Sequence, residues 1–326
     1  LALSFNNTRT LHKIVDSVPE HSPWHQCSIK LQGYSGERHL VQYQDVIQLI
    51  SSLFANPAHA EHMCYAPVHS FTDSMKETHI YHEMWTGCWW TAIQVILIRC
   101  ILPEGATLVP IIISTDKTQL TQFSGSKAAY PVYLTVSNLP KSIRRKPSEH
   151  GTVLLRYLPA DKIVSSNLLK EEKKGKMQRL FHESMRTILE PLKEAGRLGV
   201  EMVCGNGKVR RVFPVLASYV ANYPEQCLVT CSKDGTCPKF QRPNRDLENP
   251  SAGAPRTPDW TLNIIHSAQH STSTKNEFSK ACMAQDVSGC IHKPFWEGFP
   301  YADIHRSMTP DVLHQLYQGV FKHPVS

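Results

Sequence analysis

The most regular stretch of the chain covers residues 173–195. There Met177, Leu180, Phe181, Met185, Ile188, Leu189 and Leu192 recur every three or four positions and charged residues fill the opposite side. That spacing predicts an amphipathic helix laid one-sidedly on a core, kinked or ended by Pro191 and followed by Gly196 and Gly199. A shorter helix is expected after Asp45, whose side chain suits an N-cap, with Val46, Leu49, Ile50 and Leu53 on one face. Residues 107–114, Thr-Leu-Val-Pro-Ile-Ile-Ile-Ser, form a continuous apolar, β-branched run and predict a buried strand with Asp116 just past its end. Residues 130–136 and 152–158 are further strand candidates. Gly205-Asn206-Gly207 between the runs 200–204 and 209–215 predicts a hairpin. Thr309-Pro310 opens a last predicted helix, in which Val312, Leu313, Leu316, Tyr317, Val320 and Phe321 share a face. Two regions lack a period. Residues 65–90, rich in aromatics and histidine, read as irregular or short-strand structure, and 241–280, rich in Pro, Ser, Thr, Asn and His, read as a loop, linker or insertion. Strands, a long helix, more strands and a terminal helix predict a mixed α/β chain.

At 326 residues and 41% hydrophobic composition, the chain can bury a substantial core in one large domain or two ordinary ones. Its longest nearly apolar stretch, 89–102, is interrupted by Gln94 and Arg99 and falls short of the ~20 residues that cross a bilayer, so no membrane span is expected. The first residues lack a basic start and apolar run, which predicts an intracellular, reducing setting in which the ten cysteines are reduced core residues or metal ligands. The balance of 35 Lys and Arg against 28 Asp and Glu, formally +7, permits a polyanionic partner without requiring one.

Candidate chemistry is sparse. Asp116 at a strand end and Asp311 at a helix start are the carboxylates that, brought together, would suit a hard cation such as Mg²⁺. Each also has an ordinary structural reason to be there, since Asp favours strand ends and helix N-termini. Cys227, Cys231 and Cys237 cluster with three thiols where a closed zinc site wants four ligands; His266, His270, Cys282 or Cys290 could complete it, and free cysteines are the equal alternative. The basic run Arg144, Arg145, Lys146 and the pair Arg210, Arg211 are candidate phosphate contacts or simply solvated charge. No Gly-x-Gly-x-x-Gly, Walker loop, Gly-x-Ser-x-Gly or His-Glu-x-x-His is present, which removes support for dinucleotide, P-loop, hydrolase-elbow and zincin chemistry.

Several runs, in order, carry a resemblance. They are Asp116-Lys117-Thr118-Gln119-Leu120-Thr121-Gln122-Phe123-Ser124-Gly125, Tyr130-Pro131-Val132-Tyr133-Leu134-Thr135, Ile143-Arg144-Arg145-Lys146-Pro147-Ser148, Phe213-Pro214-Val215-Leu216 through Pro224-Glu225-Gln226-Cys227-Leu228, and Thr309-Pro310-Asp311-Val312-Leu313-His314-Gln315-Leu316. Across most of residues 24–325 the chain resembles the Plavaka family of fungal DNA transposases, relatives of the CACTA elements. The resemblance implies a ribonuclease H-like fold with an acidic triad, Mg²⁺-dependent cutting and joining of DNA ends through two metal ions, a cysteine cluster inserted in the catalytic domain, and work in the nucleus. Carried over, Asp116 matches the first acid. The second acid of the family's Asp-(Phe/Tyr)-Pro step is Asn222 here, an oxygen donor without negative charge. Asp311 is the late-acid candidate, with a third acid beyond Ser326 as the alternative. The family's Cys-Pro-x-Cys ends in Phe240, which removes one thiolate.

Further departures are Cys88, where the resembling family has an acid, and the extra apolar run 92–101, which reads as a retained intron or frameshift scar. The division expected on these grounds is a region 1–103 preceding the core, a first core part 104–240 with the cysteines, a loop-rich insertion 241–292, and a truncated core segment 293–326. The expected protein is a transposase-derived chain, impaired as a nuclease because Asn222 replaces an acid. The alternative is a non-catalytic DNA-binding or adaptor protein, with Arg144, Arg145, Lys146, Arg210 and Arg211 on phosphates. Asp234 is the fallback second acid, and the uncovered apolar run 92–101 predicts poor solubility.

Overall fold

The computed structural model describes residues 7–16, 22–31, 38–100, 106–121, 128–159, 169–246 and 249–309. Its framework is a mixed eight-stranded sheet. After the short helix α1 (Thr8–Asp16), strands β1 (Trp24–Lys30) and β2 (Arg38–Gln44) form an antiparallel hairpin, followed by α2 (Val46–Ala55) and α3 (Cys88–Cys100). Next come β3 (Thr107–Thr115), the small β4 (Thr118–Gln119) and β5 (Ala128–Ala129) pair, β6 (Pro131–Val136), the single turn α4 (Lys141–Arg144) and β7 (Thr152–Tyr157). Helices α5 (Lys170–Leu189) and α6 (Pro191–Leu198) lead into β8 (Val200–Val203), β9 (Val209–Val220) and α7 (Tyr223–Thr230). Helices α8 (Pro258–Ser271), α9 (Lys275–Ala284) and α10 (Ile304–Ser307) precede the two-residue β10 (Met308–Thr309).

The strand order is β1-β2-β7-β6-β3-β9-β10, with β8 also on β9. From β1 through β3 the neighbours are antiparallel, whereas β3, β9 and β10 run parallel. The central strand β3 is buried along nearly its whole length, as its uninterrupted apolar run requires, because a strand flanked on both sides and covered on both faces has no solvent position to fill. A register shift at Ile111 and Ile112 bends its pairing with β9.

The expected helices form for the expected reasons. Asp45 Oδ1 accepts the Gln48 amide at 2.8 Å, and Val46, Leu49, Ile50, Leu53 and Phe54 are buried beneath it. Leu180, Phe181, Met185, Ile188 and Leu189 of α5 enter the main core, each side chain contributing about 1.5–3 kcal/mol by leaving water. The chain divides into α5 and α6 at Pro191, which takes the first turn of the second helix, where a missing N–H costs nothing.

Three regions differ from expectation. The β1–β2 hairpin carried too few apolar positions to be read as strands: only Ile29 and Val41 are buried, because this is the sheet's edge. Residues 241–280 are a loop only in their first part: among the described residues 241–257 hold no more than one short turn, whereas α8 and the start of α9 fill most of the rest. Thr257 and Thr274 cap α8 and α9 through their side chains, and Thr261, Ile265, Ala268 and Phe278 form a stripe that packs inward, too narrow for its period to show among polar neighbours. Ile265, Ala268 and Phe278 belong to the same apolar cluster as α2 and α5. Within the apolar run around 92–101, residues up to Cys100 continue α3. Trp90 is fully buried against Leu108 and Val215, and its indole N–H donates to Gln94 Oε1 at 2.8 Å. Gln94 therefore satisfies a buried donor, while Val95 and Ile96 remain 41% and 47% exposed. Of residues 65–90, read as irregular or short-strand structure, 65–83 are irregular with one bridge between Phe71 and His79, whereas Met84–Thr86 form a short helical turn and Cys88 to Trp90 open α3. The helix expected from Pro310 lies outside the described residues.

Candidate functional site

Parallel pairing sets the geometry of the site. Ser114 of β3 lies beside Val220 of β9, so Asp116 and Asn222 each stand two residues past a matched pair, at the same end of adjacent strands. Both line a cleft of about 270 Å³ with Ser114, Thr115, Tyr133, Val220 and Ala221. Thr309 of β10 pairs with Val220 on the other side, and in sequence Asp311 follows Thr309 by the same two positions; Asp311 itself lies outside the described residues. Gln226 ties this corner together, donating to the Ala221 carbonyl at 2.8 Å and the Thr309 carbonyl at 3.0 Å.

The two site residues are used differently. Asp116 is exposed and makes no hydrogen bond or ion pair among the described residues, so its carboxylate is available to a ligand. Asn222 is the N-cap of α7: its Oδ1 accepts the Glu225 amide at 3.1 Å, with Pro224 in the first turn. Its oxygen already accepts one hydrogen bond and carries no negative charge, and its NH2 offers the cleft only donors, so it is a weaker partner for a cation than a carboxylate. An Asp would cap equally well and keep a second oxygen for the cleft.

Beneath the cleft is a carboxyl that the sequence did not single out. Glu225 is 7% exposed and accepts hydrogen bonds from Thr115 Oγ1 at 2.5 Å and from the Tyr130 hydroxyl, while Thr115 also meets the Tyr219 hydroxyl at 3.0 Å. Burial pushes its pKa up, the two hydrogen bonds oppose that, and the Asp116 charge adds to the rise. The only sequence signal was its place three residues after Asn222, the N3 position where Glu suits a helix start.

A Mg²⁺ site built on these residues has one open carboxylate, Asp116. Asn222 is capped, Glu225 is enclosed by two hydroxyls, and no group of three or more His, Cys, Asp or Glu among the described residues could hold a metal. Asp116 fits a hard cation as a single ligand; the described residues do not make a two-metal site. Asp234 is no substitute, since it pairs with Lys174 at 3.2 Å on an exposed surface.

The cysteine cluster separates in space. Cys231, in a left-handed conformation at the C-cap of α7, is fully buried, with its Sγ 3.8 Å from His182 Nε2. Cys227 instead points toward the Thr236 carbonyl at 3.7 Å and feels Cys237 and Arg256. Burial raises the thiol pKa at Cys227 to about 11 and raises that of Cys231 as well. The Arg256 guanidinium, 1% exposed, donates to the Cys237 and Phe240 carbonyls and places a fixed positive charge near the Cys227 and Cys237 thiols. His266 pairs with Glu297 at 3.2 Å, and Cys282 lies near Cys231 and Cys290. Among the described residues these thiols and histidines do not gather into a zinc site.

Of the basic candidates, most already hold the fold. Arg144 pairs with Glu83 at 3.0 Å and donates to the Leu139 carbonyl; Arg210 stacks on Tyr65 at 4.0 Å; Arg211 donates twice to the Leu198 carbonyl. Lys146 meets Glu149 at 3.8 Å on the surface. Arg145 has no such partner among the described residues.

A search of the curated proteins gave no match. The sequence model of the Plavaka transposase family matches residues 5–326, nearly the entire length. No helix among the described residues is long and apolar enough to cross a membrane. Matched by that family model over nearly its whole length, the chain belongs to the Plavaka transposase family.

Proposed function

We propose that this chain is a transposase-derived protein whose core is ribonuclease H-like and whose ancestral activity is Mg²⁺-dependent DNA strand cleavage and transfer, impaired here by Asn222. The observation that carries the reading is the matched offset of Asp116 and Asn222 at the ends of adjacent parallel strands. Support for the fold comes from the order β7-β6-β3-β9-β10, with three antiparallel strands followed by two parallel to the central one, and helices inserted between β7 and β9 and between β9 and β10. The fungal origin and CACTA kinship implied by the sequence resemblance fit this reading, as does a nuclear site of work. A bound Mg²⁺ at Asp116 would supply Lewis-acid polarisation of a phosphodiester. The protein's own part is to present the Asp116 carboxylate unpaired, to hold β3 and β9 in register through Thr115, Tyr219 and Glu225, and to fix the start of α7 through Asn222.

The test is a gain of function. Asn222→Asp keeps the cap and adds the missing charge, so purified Asn222→Asp protein should nick supercoiled plasmid with Mg²⁺ or Mn²⁺, and Asp116→Ala in that background should abolish it. Nicking by the unaltered chain that disappears in Asp116→Ala would show that Asn222 is no impairment. The non-catalytic DNA-binding alternative is favoured by a basic cavity away from the cleft, and it predicts DNA binding without nicking in either protein.

A further inference from the structure

A concentration of positive charge among the described residues lies away from both basic runs of the sequence. A cavity of about 680 Å³ opens between the end of β1, helix α5, the start of α9 and the segment 291–293. Into it face Lys30, Arg179, Arg186, Lys275 and Lys293, against one carboxylate, Glu183. Five cations less one anion give its lining a formal charge of +4, in a concave site where low-dielectric walls strengthen the field.

We propose that this cavity is a phosphate-backbone site for duplex DNA. Its two arginines are held in place: Arg179 Nε donates to the Cys290 carbonyl at 2.8 Å, and Arg186 bonds Glu183 at 2.8 Å and the Lys293 carbonyl. Arg186 Nε is buried without an acceptor. The ammonium groups of Lys30 and Lys293 have no carboxylate partner among the described residues, and both side chains are exposed. Rigid guanidinium donors with mobile ammonium groups at the rim suit phosphate oxygens. His292 belongs to the same wall, stacked on Phe278 at 4.1 Å, and its Nε2 accepts from Arg179 at 2.9 Å. Burial, then Arg179 and Lys275, push its pKa below the ordinary value, as expected of a ring inside a net positive field.

The choice of DNA over a single small anion rests on the transposase reading and on where the charge leads. Helix α5 also lines a second cavity, of about 300 Å³, that holds Lys174, Lys117 and Tyr130 and so adjoins Asp116 and Glu225. From Lys174 to Arg186 is twelve residues of one helix, about 18 Å at 1.5 Å each. That is roughly five base steps along a strand. Lys174 stands about 120° around α5 from Arg186, at 3.6 residues per turn, and pairs with Asp234, so a strand passing from the cavity toward the strand-end cleft would wind around the helix.

Binding of a labelled random 30-base-pair duplex, followed by anisotropy in EDTA across a salt series, tests the site. Lys30→Gln with Lys293→Gln should weaken binding about tenfold at 0.1 M salt and lower the slope of log K against log salt by about 2, near 0.9 for each phosphate no longer neutralised. Arg145→Gln should leave both unchanged. An unchanged slope in the double variant overturns the proposal. A measurement on the unaltered protein removes dependence on variant folding: lysine acetylation read by mass spectrometry should show Lys30 and Lys293 protected by duplex. Equal labelling with and without duplex, or protection by polyglutamate and not by duplex, would overturn it. Because EDTA removes Mg²⁺, these outcomes are independent of whether Asn222→Asp nicks DNA.

Discussion

The strand-end cleft and the basic cavity are assembled in opposite ways. The cleft comes from register: Ser114 against Val220 delivers Asp116 and Asn222 together, and the same strands supply its floor. The cavity comes from convergence, drawing Lys30 from an edge strand, Arg179 and Arg186 from one helix face, and Lys275 and Lys293 from segments far along the chain. Residues fixed by pairing are visible as strand-end acids in a sequence, whereas residues that converge are scattered singly among ordinary surface charge. The compact basic run near Arg144 shows the converse. Its charge is conspicuous in sequence and partly consumed within the fold, since Glu83, only 5% exposed at its side chain, needs Arg144 as its counter-ion.

The sharpest way to break this contrast is Arg144→Ala. Leaving Glu83 buried and unpaired should cost about 3 kcal/mol of stability by urea unfolding, with DNA affinity per folded molecule unchanged. A large loss of affinity with little loss of stability would return the basic run to the DNA surface. Next comes Glu225→Ala, which strips the acceptor from Thr115 and Tyr130 under the cleft and should cost about 2 kcal/mol, whereas Glu225→Gln should cost less than half of that. Equal costs would mean that the carboxyl position contributes only volume.

Acid titration separates the buried groups behind the two regions. His182, at the wall of the cavity, is pushed down to about 3 and His305 to about 4, mainly by burial. Below the ordinary value of 6.5 the unfolded chain binds protons that the folded chain refuses. Stability conferred by neutral histidines is therefore fully present above pH 6.5 and is lost as pH falls toward 4 and 3. Glu225 acts in the opposite sense: its raised pKa favours the folded state at low pH, and that stability is lost as pH rises from 4.5 through its folded value. With three histidines held below 6.5, His292 included, against one carboxyl, the melting temperature should fall on acidification from pH 6.5 to 4.5, and His305→Gln should flatten the fall. A melting temperature that rises over that interval would show Glu225 to be the dominant group. The smallest effect is expected at Arg145→Ala, within about 0.5 kcal/mol, since the residue has no partner among the described residues to lose.

Much of the framework was legible because local rules and burial agreed. Asp45 before Val46, Leu49, Ile50 and Leu53 gave both a cap and a face; the unbroken run of β3 could only be a strand covered on both sides; Gly205-Asn206-Gly207 stood between two apolar runs and marked the turn between β8 and β9. The β1–β2 hairpin and helices α8 and α9 escaped notice because each buries only a narrow stripe, so their polar residues dominate any window of sequence. Among site residues, Asp116 and Asn222 were visible and the cleft brings them together; Glu225 was hidden inside a helix-start pattern that accounts for it fully.

Sequence alone therefore determined the strands and helices whose side-chain period matches their burial, the uncharged side chain at position 222, and the family to which the motifs point. Only the tertiary structure decided which charges remain available, because pairing is a matter of distance rather than order. It joined Arg144 to Glu83 and placed Cys231 beside His182, away from Cys237's neighbour Arg256. It also brought five cations from four separate segments to one cavity, where Coulomb repulsion among like charges exceeds what the single carboxylate of Glu183 can offset and so favours an anion from outside.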